Sequence, residues 1–309
     1  MNKPGVKVFA PATVANLACG FDILGLALDA PGDEIIAHKT ADAGQVVITK
    51  ITGDGKQLPR DPARNTAGVA AKALLDDQRA PFGLELEIHK KMPIGSGLGS
   101  SAASAVAAVV AANAFLRPRL QRRELLPYAV AGEQVASGAA HADNVAPALL
   151  GGIILAKGPD DVHRIMTPKG LTVVVVYPKI EILTKEARSI LKPDIGLGDH
   201  IAQCAHLAGF ILGLERSNFD LIRHSLKDLI IEPQRARLIP GFYDVKDAAL
   251  AQGALGCSIS GAGPSVFALC DNTLIAQKTA RAMVNAFARH KIEALPYISP
   301  VNPQGAKIY

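Results

Sequence analysis

The clearest alternation in the chain spans residues 84–90, where Leu84, Leu86 and Ile88 interleave with Glu85, Glu87 and His89. A period of two sends successive side chains to opposite faces, so this segment predicts a half-exposed strand. Weaker alternation over 6–10 predicts a short first strand. The β-branched runs 45–51 and 171–177 predict two more, the latter apolar throughout and therefore buried. Residues 152–156 and 294–298 read as strands, and 257–269 as strand, glycine turn, strand. Helical spacing marks 65–77, with Asn65 as its N-cap, and 124–138, 184–191, 200–214, 220–231, 244–252 and 274–290. Residues 100–115 predict a helix capped by Ser100 or Ser101, because alanine fills 8 of the 15 positions from Ser100 to Ala114. Residues 11–29, 53–64 and 141–150 lack either period, and the last two read as loops.

Strand pairs mixed with helices predict an α/β or α+β chain of two lobes. Glycine, proline and charge concentrate over 158–169, which sets the expected division at 1–160 and 161–309. A length of 309 residues with 49% hydrophobic content suffices for one large or two medium cores and excludes global disorder. The net charge of +5 is spread along the chain, densest over 117–123. With 5% aromatic residues and no tryptophan, a base-stacking surface is disfavoured, so no nucleic-acid partner is expected. Four cysteines without a CxxC pair predict reduced, buried thiols. The first residues lack an apolar signal-type core, and the uncharged stretch 92–116 is interrupted by glycine and serine. No membrane association and a cytoplasmic location are the expectations.

Candidate chemistry sits where glycines cluster. Gly95, Gly97 and Gly99 lie between a predicted strand and a predicted helix, so the backbone can bend sharply and aim several N–H groups at one anion. The helix adds its positive end, and Ser100 and Ser101 add hydroxyls suited to phosphate or Mg²⁺. A serine-capped turn is the competing reading. The segment is neither a Walker A loop nor a GxGxxG turn: the Gly55–Lys56 pair is followed by Gln57, and Ser100 stands where the last glycine belongs. A second glycine turn, Ser260-Gly261-Ala262-Gly263-Pro264-Ser265, reads as a hairpin that could close over the same ligand. Glu133 could hold Mg²⁺ opposite a serine hydroxyl. His141, Asp143 and Asn144 share one loop, and Arg188 and Arg235 would suit a carboxylate if they converged.

Three segments together resemble the GHMP small-molecule kinases: APATVANLACGFDILGLALD (10–29), MPIGSGLGSSAASAVAA (92–108) and SISGAGPSVFAL (258–269). The segments HADNVAPALLGG (141–152), YPKIEILTKEARSIL (177–191) and EPQRARLIPGF (232–242) are similar to its homoserine-phosphorylating branch. The resemblance implies an N-terminal lobe like ribosomal protein S5 domain 2, a ferredoxin-like C-terminal lobe and a site between them. It implies ATP and L-homoserine as substrates, Mg²⁺ as cofactor, O-phospho-L-homoserine as product on the way to threonine, and allows a homodimer. By position, Pro93, Ile94, Gly95, Ser96, Gly97, Leu98, Gly99, Ser100, Ser101, Ala102 and Ala103 would wrap the phosphates, with Gly261 and Gly263 closing over them and Asn65 near adenine. Ser101, in preference to Ser100, and Glu133 would hold Mg²⁺. Asn16, Asp22, His141, Asp143 and Thr184 would line the amino-acid pocket, with Arg188 and Arg235 on the substrate carboxylate. Arg237, two residues on, would face away. The mevalonate and galactose branches carry an aspartate base where this chain has Asn144, so the implied mechanism is positioning and charge neutralisation rather than base catalysis. A different alcohol as acceptor, such as shikimate or mevalonate, and a non-catalytic nucleotide binder are the rival readings.

Overall fold

The computed structural model describes residues 5–138, 140–182 and 184–309, leaving aside the side chains of residues 136, 137 and 184. The first strand is longer than the alternation predicts: β1 runs over Gly5–Ala15 and pairs antiparallel with β2, Leu24–Thr40. Its register shifts between Pro11 and Thr13. The second strand lacks a single clean period because it is buried along most of its length and changes partners. Leu24–Leu26 pair with β5 (Ile153–Ala156), whereas Glu34–Thr40 pair with β4 (Gly83–His89). β3 (Val46–Thr52) lies parallel to β4.

Helix α1 (Thr66–Asp77) begins as expected, the Asn65 side chain accepting a hydrogen bond from the Ala67 N–H. Helix α2 (Ser100–Phe115) corrects the predicted cap. Gly99 in a left-handed conformation is the N-cap and no side chain caps the helix. Both serine hydroxyls are committed elsewhere, Ser100 to Asp33 and Ser101 to Glu133. α2 is buried all round, its alanines allowing close approach to β1, β2, α1 and α3 (Leu126–Ser137). Residues 145–150, expected as loop, form α4 (Val145–Leu150).

β6 (Val162–Ile165) pairs with β5, so the change of sheet falls between Ile165 and Thr172. Beyond it come β7 (Thr172–Pro178), α5 (Thr184–Ser189), α6 (Leu197–Glu215) and α7 (Phe219–Ser225). The helix expected over 220–231 stops at Ser225, because the Asp228 carboxylate accepts the N–H groups of Ile230, Ile231 and Glu232 and offers the backbone a tight turn instead. Then follow α8 (Glu232–Arg235), α9 (Phe242–Ala251), β8 (Gly256–Ile259), β9 (Val266–Cys270), α10 (Thr273–Arg289), β10 (Ala294–Pro300) and β11 (Lys307–Ile308).

Two sheets result, as the two-lobed α+β expectation required. One is seven-stranded, ordered β11-β1-β2-β4-β3 with β5 and β6 attached through β2; the other is β10-β7-β9-β8 and wholly antiparallel. The tail returns to the first sheet through β11. β7 and β9 are buried on both faces, which explains the unbroken apolar run in β7. Val174, Val176, Val266 and Ala268 pack with α9 and α10 in one core, while Val173, Val175, Phe267 and Leu269 join the core of the first sheet. Cys19, Cys257 and Cys270 are buried as expected, but Cys204 is exposed on α6. No helix among the described residues is long and apolar enough to cross a membrane.

Candidate active site

Between the two sheets lies a cleft of about 310 Å³ into which the separate motifs converge. One wall is the first glycine turn. Gly95, Gly97 and Gly99 all have left-handed φ values, of 65°, 76° and 66°. Gly97 also has a packing reason: a Cβ there would stand 2.4 Å from the Ser260 carbonyl oxygen. The second glycine turn is at once a hairpin and a buttress for the first. Ser260 Oγ donates to the Gly97 carbonyl at 2.7 Å, and the Ser265 N–H donates to the Ser96 carbonyl at 3.2 Å.

Ile94, Gly95, Ser96, Gly97, Gly99, Ser100, Ser101, Asn65 and Gly261 line the cleft. Pro93, Leu98, Ala102, Ala103 and Gly263 do not. Leu98, Ala102 and Ala103 are fully buried in the core, the Pro93 carbonyl accepts Ser96 Oγ, and Gly263 backs onto Gly97. Both ends of the Asn65 amide are engaged, by the Ala67 N–H and the Pro59 carbonyl. Asn65 therefore shapes this end of the cleft beside Leu58 and Pro59.

At the start of α2, Ser101 Oγ donates to Glu133 Oε1 at 2.9 Å. Helix α3 supplies that glutamate, and burial pushes its carboxyl up to about 7; the Ser101 bond and Lys90 oppose the shift, and Asp143 reinforces it. A hydroxyl and a carboxylate are hard oxygen donors of the kind Mg²⁺ takes beside water and phosphate, so the pair fits that ion. Ser100 is unsuited, since its hydroxyl donates to buried Asp33.

The far end of the cleft is charged. Asn16 has a left-handed φ of 72° and bridges the two lobes, its Oδ1 accepting the Asp22 N–H and its Nδ2 donating to the Gly261 carbonyl. Asp22 takes both Nη groups of Arg188, at 2.8 and 3.0 Å, and lies 3.6 Å from His141 Nε2. Arg235 is only 3% exposed and donates to the carbonyls of Ala187 and Gly261. Both guanidinium groups lie over the Phe21 ring, at 5.5 and 5.0 Å. Burial, together with the charge of Arg188, lowers Arg235 to about 10. Arg237 is exposed. Asp143 is buried and pushed up to about 7, by burial first and by Asp22 second. The side chain of Thr184 lies outside the described residues.

Asn144 Oδ1 accepts Thr13 Oγ1 at 2.6 Å, and a Cβ on Gly99 would stand 2.0 Å from that hydroxyl. With its oxygen held, the amide presents N–H rather than a proton acceptor. Sequence reasoning passed over Thr13, Asp33 and Lys90. Thr13 sits inside the first motif with nothing to distinguish it, Asp33 falls in a stretch with no predicted element, and Lys90 reads as the polar end of a predicted strand.

Comparison with known proteins agrees with this geometry. The family models described as GHMP kinases N terminal domain and GHMP kinases C terminal match residues 65–152 and 210–289. The chain belongs to the GHMP kinase family. Within that family it is 45% identical to a homoserine kinase of Chloroherpeton thalassium, over 98% of this chain and 99% of the relative. It is 43% identical to the homoserine kinase of Xanthomonas campestris pv. campestris, over 98% and 93%. The crystal structure of homoserine kinase from Cytophaga hutchinsonii superposes with a TM-score of 0.96 at 47% identity, covering 100% of this chain and 98% of that one.

Proposed function

We propose that this protein is an ATP-dependent homoserine kinase, transferring the γ-phosphoryl group to the side-chain hydroxyl of L-homoserine to give O-phospho-L-homoserine for threonine synthesis. One observation carries the reading. A single cleft has an amide-rich glycine turn at one end and, at the other, acids and two arginines suited to a zwitterion. ATP would lie with its base by Asn65, Leu58 and Pro59 and its phosphates on the N–H groups of 94–99 and the positive end of α2. Ser101 and Glu133 would hold Mg²⁺, which when bound neutralises charge on the phosphates. Asp22 and Asp143 would face the substrate ammonium and hydroxyl, with Asn16, His141 and Thr184 completing the pocket. Arg188 and Arg235 would take the carboxylate.

No aspartate is available as base at Asn144. The amide, steadied by Thr13, would orient the hydroxyl, and the proton would leave late, to a phosphate oxygen or to water. A loose transition state asks for little base assistance. The enzyme is read as a cytoplasmic homodimer. What supports the dimer is the apolar face of α6, where Leu197, Ile201 and Leu212 are exposed.

The test is ADP release with homoserine, shikimate and mevalonate as acceptors. Turnover with homoserine is expected to dominate. Turnover with mevalonate and none with homoserine would overturn the reading, and nucleotide binding without turnover on any acceptor would favour a non-catalytic role.

A further inference from the structure

Asp33, in β2, is fully buried and used on all sides. Its Oδ1 accepts the N–H groups of Lys91 at 2.7 Å and Met92 at 3.1 Å. Its Oδ2 accepts Ser100 Oγ at 2.8 Å and the ammonium of Lys90. Lys90 Nζ also donates to the Ser100 carbonyl and to Ser104 Oγ, both at 2.7 Å. An ammonium has three donors, and three acceptors already hold them. Lys90 lines the cleft, yet it has no donor left for a phosphate.

These contacts tie together three pieces of chain: the middle of β2, the exit from β4 at 90–92, and the first turn of α2 at 100–104. The glycine turn is the stretch between the last two. Its residues have left-handed φ values at 95, 97 and 99 and belong to no sheet or helix; Ser260, Ser265 and Thr13 hold its middle carbonyls, and the two ends set its span. One carboxylate holds both ends.

We propose that the Asp33–Lys90 pair is a positioning unit that fixes the span of the glycine turn and thereby its N–H groups for nucleotide, without either residue touching the ligand. The nucleotide part of this inference rests on the function proposed above; the span of the turn does not.

The test is Asp33→Asn/Lys90→Met in the full chain. Breaking one member of a buried pair strands a charge, whereas replacing both is frequently tolerated. Asparagine can still accept from 91–92, so the double change frees chiefly the α2 end of the turn. Amide hydrogen exchange over 93–99 is expected to quicken at least about tenfold while α10 peptides stay unchanged, and ADP affinity to fall about tenfold, with the homoserine KM within about twofold of wild type. Ser100→Ala, which removes one bond and no charge, is expected to move exchange and ADP affinity the same way by about threefold; it decides the matter if the double variant does not fold.

Wild-type exchange over 93–99 in a folded variant would overturn the proposal. So would a uniform rise in exchange along the whole chain with both substrate KM values moving together, since that is loss of stability alone. Quickened exchange in a protein whose wild type binds no ADP would leave the positioning role standing and remove the nucleotide reading.

Discussion

On the function proposed above, two arginines would recognise the amino acid at the charged end of the cleft. Arg188 makes a forked, charge-assisted pair with Asp22, and Arg235 is held by the carbonyls of Ala187 and Gly261. The first is therefore the adjustable arm and the second a fixed one. Arg188→Ala is expected to raise the homoserine KM by an amount equivalent to about 2–5 kcal/mol, with the ATP KM little changed. Arg188→Lys would recover only part, because a lysine cannot make the fork. An unchanged homoserine KM in Arg188→Ala would take this arginine out of the pocket. Glu133 tests the other end. Glu133→Gln keeps a partner for Ser101 Oγ and loses the negative charge, so kcat should fall about 10- to 100-fold, roughly 1.4–3 kcal/mol, and the Mg²⁺ titration should move to higher concentration. Overlapping Mg²⁺ titrations would reassign the residue to holding Ser101.

The crossing of the two glycine turns belongs to whole elements, because the hairpin between β8 and β9 supports the turn before α2. Gly95 and Gly97 separate conformational strain from contact. Both have left-handed φ, but an added Cβ at Gly95 meets nothing within 4 Å, whereas at Gly97 it runs into the carbonyls of Ser260 and Gly263 at 2.4 and 2.9 Å. Gly95→Ala is expected to cost about 1 kcal/mol in chemical denaturation, and Gly97→Ala distinctly more, about 2–4 kcal/mol, with loss of nucleotide binding. Equal costs would show that the hairpin yields. Much of this element was readable in advance: left-handed glycines, a buried β7 and the N-cap at Asn65 all have local signatures. What was not readable came from partners far along the chain. Ser100 and Ser101 look like caps until Asp33, 67 residues away in sequence, and Glu133, 32 away, claim their hydroxyls. β2 escaped because it serves two partners and so shows no single period. Residues 226–231 broke a helix through the Asp228 side chain, which a helical pattern does not register. The charged pocket was legible only as a resemblance, since nothing local marks Asp22 and Arg188 as neighbours.

At the scale of the molecule the two sheets are not independent. Phe210 and Leu214 of α6, Val173 and Val175 of β7 and Phe267 of β9 belong to the same core as the first sheet and α2. Phe210→Ala should therefore cost about 3–5 kcal/mol and lower a single calorimetric transition rather than split it; two resolved transitions would mean that the lobes unfold separately. In a chain that unfolds as one unit, a buried acid contributes to the stability of the whole. Asp143 titrates near 7 in the folded protein because burial and the charge of Asp22 disfavour its ionised form, although the backbone N–H of Asn144 and Arg188 oppose the shift. Unfolded, an aspartate titrates near about 4. Between these values the folded chain retains a proton that the unfolded chain has released, so stability falls as pH rises through this window. Below it both states are protonated and the group has no effect; above it both are ionised and the full penalty is present. Asp143→Asn removes the titration while keeping much of the shape. Its melting temperature without ligand is expected to match wild type most nearly at pH 5 and to exceed it by the widest margin at pH 8. Parallel melting curves for the two proteins across pH 5–8 would show that Asp143 ionises as freely folded as unfolded, and that the cleft holds enough water or countercharge to solvate it.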